Sequence, residues 1–382
     1  MNLTRRKMIF LVGGGAVLAA GSAFGYAATR TPQTAYLPWE RAGTYNDPRM
    51  RALSWALLAP NPHNRQPWLA DLSEDGVIAL HADRNRMLPY TDPFNRQITI
   101  GLGCFLELLR MAAAEDGYRA ATELFPRGSS ATGLDQRPVA RITFTADPAV
   151  ERDPLFALVP ARRSNKEPFD VNRPVAPAVL SELGAVLRKG ARFGGTVEPS
   201  EVGELRALTR EALRIEVETP HTYQESVDLF RIGRHEVDAN PDGIDFTGPL
   251  FESLRMTRQF TREAASDPTS FAYKSGLDVI LASTDTAMGH VWLVTDDNSR
   301  ETQIATGADW LRVNIAATAN GLGFHPLSQA LQEFSEMAGP FRQVQERLAP
   351  DGGTVQMLAR IGYGPEIGKS PRWPLESRIM NV

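Results

Sequence analysis

The sequence predicts an α+β protein built from two copies of one unit fused in a single chain, and three observations carry that expectation. Asp92, Arg96, Gly103 and Gly117 recur as Asp296, Arg300, Gly307 and Gly321, each pair 204 positions apart (296 − 92, 300 − 96, 307 − 103, 321 − 117). Between the two glycines of each set, GCFLELLRMAAAEDG parallels GADWLRVNIAATANG. Phe105 and Leu109 in one run, and Leu311 and Ile315 in the other, stand at helical spacing, and a Gly closes each run where a helix end accepts a left-handed residue. Each half then finishes on a similar strand, VARITF (139–144) and LARIGY (358–363). Four matched positions without a gap argue against chance, and two repeats of this length are too few and too large for a solenoid. The expectation is a monomer in which one chain supplies both halves of what would otherwise be a self-complementary dimer interface.

Taken in order, residues 1–30 stand outside the fold argument. Arg5, Arg6 and Lys7 precede a run with no charged residue before Arg30, the layout of an export signal. The adjacent Arg5-Arg6 pair after Thr4 resembles a twin-arginine signal, read by machinery that exports folded proteins. A single membrane anchor is the other reading, since about 20 uncharged residues can span a bilayer. The Gly13-Gly14-Gly15 run lies inside this segment and is therefore no phosphate loop. A Pro- and Thr-containing tether follows (31–47) and opens the first half, 31–150.

The loop APNPHNRQPW (59–68) holds three prolines and two asparagines between a helical stretch and a strand, a density of rigid turns and side-chain amides that asks for a purpose. The two units part near 147–153, and the second, 151–382, opens on PARRSNKEPFD. Arg162, Arg163, Ser164 and Lys166 there offer two guanidinium forks, a hydroxyl and an ammonium, a set suited to a phosphate; a solvated basic turn is the plain alternative. The first half has no such cluster. A stretch over 221–275, with Gly and Pro breaks inside helix-like pieces, reads either as a lid crossing between units or as an ordinary helical excursion. The tail GKSPRWPLE places Arg372 between prolines that fix its backbone and aim it.

The totals narrow the function classes. A chain of 382 residues with 42% hydrophobic and 23% charged residues is an ordinary globular composition, and a net charge of −4 points away from nucleic acid. The single cysteine, Cys104, excludes an intrachain disulfide and sits among Leu102, Phe105 and Leu106 as a buried thiol. The six histidines show no HExxH or paired spacing, so no metal is expected. No GxSxG elbow or dinucleotide fingerprint follows a strand. His63 and His325 stand in loops, where an ordinary polar contact and a functional role are both open.

APNPHNRQPW, ARRSNKEPF, GLGFHPLSQ and SPRWPLE together resemble the FMN-dependent nitroreductase family. The tandem arrangement with one basic cluster is similar to its Acg-type members, single chains that imitate the nitroreductase homodimer, from about residue 46 to the end. The resemblance implies two α/β/α units forming an intramolecular pseudo-dimer with FMN as cofactor. It implies that Arg162, Ser164 and Lys166 grip the FMN phosphate, with Arg163 at a position that varies in the family and Arg372 joining from the tail. Asn61, Pro62 and Asn64 would reach the ribityl chain and ring from the other half, although Asn61 and Pro62 replace the two serines usual there. Leu327, Ser328 and Gln329 would lie beside the ring edge, where many relatives have an acidic residue followed by Gly. The flavin supplies the redox chemistry, so no catalytic acid or base is assigned.

Two functions follow. One is an exported oxidoreductase, periplasmic or anchored facing the periplasm, that alternates between a small-molecule electron donor and a nitroaromatic or quinone-like acceptor. The other is a flavin-binding or sequestering protein with a closed lid and little turnover. Export removes the protein from NAD(P)H, while a twin-arginine route suits a cofactor inserted before transport.

Overall fold

The structure is a computed structural model that describes residues 30–380. The signal or anchor reading of residues 1–30 therefore lies, apart from Arg30, outside the described residues. The strands in chain order are β1 (Trp68–Asp71), β2 (Val77–Ala82), β3 (Tyr118–Leu124), β4 (Ala140–Ala146), β5 (Arg192–Thr196), β6 (Phe230–Ile232), β7 (Ile244–Phe246), β8 (Gly289–Thr295), β9 (Gly323–Pro326), β10 (Thr354–Gly362) and β11 (Ile379–Met380). They form a five-stranded sheet β11-β1-β2-β4-β3, a four-stranded sheet β5-β8-β10-β9 and a small β6-β7 ribbon. The strands expected at 139–144 and 358–363 are β4 and β10, one in each large sheet. The chain's last strand returns to the first sheet, where β11 runs parallel to β1 with Ala70 beside Ile379.

Two helices of 20 residues, Arg96–Glu115 and Arg300–Ala319, cross between the sheets and pack directly on each other. The repeated glycines mark the crossing. A Cβ on Gly103 would stand 2.1 Å from the Ile304 carbonyl oxygen, and one on Gly307 would stand 2.0 Å from that of Ile100. Ile100 and Ile304 are themselves 204 apart, so each helix presents the same small residue to the same carbonyl of the other. Only glycine permits that backbone approach.

The arginines at the two helix starts repeat the exchange. Arg96 donates to the Gln356 carbonyl at 2.7 Å and to that of Leu331, and pairs with Glu333 at 3.2 Å. Arg300 donates to the Phe94 carbonyl at 2.6 Å and the Ser130 carbonyl at 3.1 Å. Each arginine thus satisfies carbonyls of the opposite half. Gly117 (φ +75°) and Gly321 (φ +65°) both take the left-handed conformation expected just past a helix.

Asp92 and Asp296 break the symmetry. Buried Asp92 accepts from the Gln97 and Ile98 amides and closes the helix start, whereas exposed Asp296 pairs with Arg192. Its capping role passes to Ser299, which accepts from Thr302 N at 3.2 Å.

Between β5 and β8 the chain makes an excursion of six helices around the β6-β7 ribbon, with an apolar cluster of its own in which Phe246 lies edge-on to Phe230 and Phe260.

Candidate functional site

Arg162 follows the one-sided 3₁₀ turn Pro154–Ala161 and points inward. Its Nη1 donates to Asn314 Oδ1 at 2.8 Å and its Nη2 to the Leu58 carbonyl at 3.1 Å. Arg372 arrives at that same carbonyl from the tail, its Nη2 donating to Leu58 O at 3.3 Å and Ala59 O at 3.2 Å. Two guanidiniums far apart in sequence therefore meet on one oxygen. Arg163 lies over the Trp39 ring, 4.9 Å from its centre, and Trp39 is held by donating to Ser370 O at 2.8 Å. Ser164 is half-buried and Lys166 exposed at the rim.

The electrostatics of this floor are lopsided. Among the described residues Asp245 acts electrostatically on Arg372 and Glu366 on Arg163, in each case less than burial does. Burial pulls Arg162 down to about 10 and Arg372 to about 9, and the Arg162 charge adds to the second shift. The Nε atoms of Arg163 and Arg372 are buried with no hydrogen-bond partner. Buried cations are normally paired, and buried N–H groups are normally satisfied. Two buried guanidiniums with spare donors make a receptacle for a compact anion of high charge, and a phosphate group fits it.

The 59–68 loop is fastened to the same floor. His63, Asn64 and Gln66 all have positive φ (48°, 50° and 51°), an uncommon conformation for residues with side chains and costly for His and Gln. Hydrogen bonds hold it. Asn61 Oδ1 accepts from Gln66 N at 2.7 Å, Gln66 Oε1 accepts from Trp373 N at 2.8 Å, and Asn64 donates to Pro371 O at 3.0 Å while its Oδ1 accepts from Arg372. The Pro62 carbonyl accepts from Arg65 N at 3.0 Å. The amides that look idle in the sequence are the fixings of a strained lip, and Asn64 joins that lip to Arg372.

The third predicted segment comes to the same place through the helix Arg96–Glu115. A Cβ on Gly101 would touch Asn61 Cβ at 3.2 Å and Pro62 Cδ at 3.3 Å, and Gln97 Nε2 donates to Ser328 O at 3.3 Å. Residues 97 and 101 share one helix face a single turn apart, so the lip and the 327–329 turn flank one stripe of that helix. Leu327 is buried and anchored by its amide to Leu358 O at 2.8 Å, while Ser328 and Gln329 stay half-buried. Lys166 acts electrostatically on both His63 and Glu216. All the segments predicted for the site are thus neighbours. Desolvation, helped by Lys166, holds His63 down to about 4, so its ring is neutral, and its Nδ1 is buried without a partner.

Sequence reasoning missed Asn314, Trp39, Gln66 and Glu216. Asn314 is a lone amide in the apolar run LRVNIAA, and that mismatch is the signal that could have flagged it; its Nδ2 donates to Arg163 O at 3.2 Å. Cys104 is buried between the crossing helices and donates to Gly307 O at 3.1 Å, with burial pushing its thiol up to about 12. No group of three His, Cys, Asp or Glu among the described residues is placed to hold a metal.

No protein-family model matches the sequence. The chain is 28% identical over 331 residues to the Mycobacterium tuberculosis protein named "Putative NAD(P)H nitroreductase acg", covering 84% of this chain and 90% of that one. A second M. tuberculosis protein, named "Putative NAD(P)H nitroreductase Rv3131", is 25% identical over 336 residues, 86% of this chain and 88% of that one. Among solved structures, the FMN-dependent nitroreductase NfnB of Mycobacterium smegmatis in complex with NADPH superposes with a TM-score of 0.33 at 17% identity, covering 58% of this chain and 94% of that one. A nitroreductase-like protein from Bacillus cereus gives 0.32 at 13% identity, 61% and 97%.

Proposed function

We propose that this chain is an FMN-binding oxidoreductase of the nitroreductase type, one flavin to a chain, working on small-molecule electron donors and acceptors. The observation that carries the reading is the Arg162–Arg372 floor, two buried guanidiniums on one carbonyl whose charges burial disfavours. Arg162, Arg372, Ser164 and Lys166 would hold the phosphate, with Arg163 completing the rim over Trp39. The lip of Asn61, Pro62 and Asn64 and the turn of Leu327, Ser328 and Gln329 would bracket the rest of the cofactor. Bound flavin supplies two-electron transfer; the chain's residues bind and orient it and exclude water. The two crossed helices with their exchanged glycines and arginines support the reading of a fused pseudo-dimer, and the long relatives named as NAD(P)H nitroreductases support the enzyme class.

Export by the twin-arginine route, with a nitroaromatic or quinone-like acceptor met outside the cytoplasm, belongs to the same proposal. A second reading, flavin sequestration under a closed lid, is favoured by one feature. The excursion is clamped onto the lip through Asp242, which pairs with Arg65 (3.3 Å), Arg86 (2.5 Å) and Arg231 (2.8 Å), while Gln66 Nε2 donates to Pro241 O at 2.7 Å.

The test is the absorption spectrum and released flavin of the purified protein, followed by anaerobic addition of NADH, NADPH and dithionite. Flavin near one mole per mole, bleached by a nicotinamide, supports the enzyme. Flavin bleached by dithionite alone supports sequestration, and protein that neither carries nor takes up flavin overturns both.

A further inference from the structure

Glu216 is not explained by anything above. It sits near the end of the helix Pro199–Glu218, 6% exposed, and burial is the largest influence on its carboxyl. Gln332 Nε2 donates to its Oε2 at 2.6 Å, and Gln332 together with Gln329, a residue of the turn that flanks the lip, favours the ionised carboxyl against the larger effect of burial. Gln332 is 3% exposed, and its own Oε1 is buried without any partner. A buried carboxyl therefore stands beside a buried, unused amide acceptor, and both border the 327–329 turn. Two charged groups act on the carboxyl from the elements around it. Glu225, on the helix Pro220–Asp228, opposes ionisation, and Lys166, from the basic cluster, favours it.

We propose that Glu216 and Gln332 form the wall that reads the polar edge of the flavin ring, with Glu216 binding in its protonated form as a donor and Gln332 Oε1 as an acceptor. This rests on the FMN reading of the site. A ring edge that alternates carbonyl oxygens with an N–H needs a donor and an acceptor side by side, which a neutral carboxyl and an amide oxygen supply and a carboxylate does not. An ionised Glu216 would offer two acceptors and a charge to a ring carbonyl, at a cost of one hydrogen bond and some repulsion. Desolvation already holds the carboxyl up to about 7, so it changes state in the neutral range.

The experiment titrates flavin-free protein with riboflavin across pH 6 to 8.5, because riboflavin lacks the FMN phosphate, which itself titrates near 6. Wild-type affinity is expected to fall about tenfold from the acid to the alkaline end, the equivalent of one hydrogen bond to the ring. Glu216→Gln, which keeps a donor at every pH, is expected to hold the tighter value throughout. Glu216→Ala is expected to bind weakly and without pH dependence. In parallel, the carbon chemical shift of the Glu216 carboxyl in flavin-free protein is expected to titrate near neutrality, a readout that needs no ligand. Riboflavin affinity that is flat with pH in the wild type, or still pH-dependent in Glu216→Gln, overturns this proposal and leaves the FMN reading standing. Wild-type protein that binds neither FMN nor riboflavin overturns the FMN reading and this proposal with it.

Discussion

At the residue scale, Arg162 and Arg372 carry opposite consequences for stability and binding. Each is a buried cation on which desolvation is the largest effect, so the free protein bears the cost of holding both. Replacing such a charge with an apolar side chain of similar length is often neutral or stabilising. Arg162→Met is therefore expected to leave the urea midpoint of flavin-free protein unchanged or raised. The same change is expected to weaken FMN about ten- to a hundredfold, from the loss of a charge-assisted contact of roughly 1.5–3 kcal/mol, and to leave riboflavin affinity nearly untouched. Arg372→Met is expected to weaken both flavins, because Arg372 also holds Asn64 and hence the lip. A loss of folding stability in Arg162→Met with FMN affinity intact would mean that the arginine is a structural strut.

These residues were partly legible beforehand. ARRSNK and SPRWP announce their chemistry by composition, and the density of amides in APNPHNRQPW announces a built loop. What composition does not reveal is who partners whom. That Leu58 O would receive both arginines, or that Asn64 would be engaged by Arg372, depends on a meeting of segments 104 to 314 positions apart, and no local pattern encodes it.

At the element scale, the crossing helices were the part of the fold that the sequence exposed best, because a repeated glycine leaves a mark at a fixed spacing. Gly103→Ala and Gly307→Ala would each place a methyl about 2 Å from a backbone oxygen, which has no rotamer by which to yield. Either substitution is expected to cost about 3 kcal/mol or more, at or above the upper end of ordinary overpacking. The double variant should cost less than the sum, since the first separation of the helices admits the second methyl. Urea unfolding of the three variants checks this, and additive losses would show that the two glycines do not share one contact.

The clamp on the lip is the element that sequence reasoning left undecided. Its three arginines come from separate stretches, and only the fold brings them to Asp242. Asp242→Asn leaves three partly buried cations around a neutral amide, so it is expected to release the excursion from the lip and to speed both flavin uptake and flavin loss in stopped-flow mixing. Unchanged exchange rates would show that the excursion does not control access.

At the scale of the whole molecule, the buried titratable groups oppose one another, and the balance sets how stability responds to pH. Burial holds His290 down to about 3 and His63 to about 4 against an ordinary 6.5, and both His290 ring nitrogens are buried without partners. Below about pH 6.5 the unfolded chain takes up those two protons while the folded chain does not, so acid removes stability. Burial moves Glu216 up to about 7 and Asp92 to about 6, against ordinary values of 4.5 and 3.8. Between those values the folded chain takes up the protons and the unfolded chain does not, so acid adds stability. From about pH 6 down to 4.5 two protons favour each state, and the stability of flavin-free wild-type protein is expected to be nearly level. Below about 4 the carboxyls no longer compensate, His290 still does not charge, and the arginine-paired Asp47, Asp153 and Glu236, held below their usual range, begin to lose their ions. Stability should then fall steeply. Glu216→Gln removes one compensating proton, so its curve is expected to tilt through the level window, losing about 1.4 kcal/mol for each unit of acidification. Urea midpoints of wild type and Glu216→Gln at half-unit steps from pH 4.5 to 7 measure the difference, and parallel curves would show that Glu216 is ionised in the folded protein throughout that range.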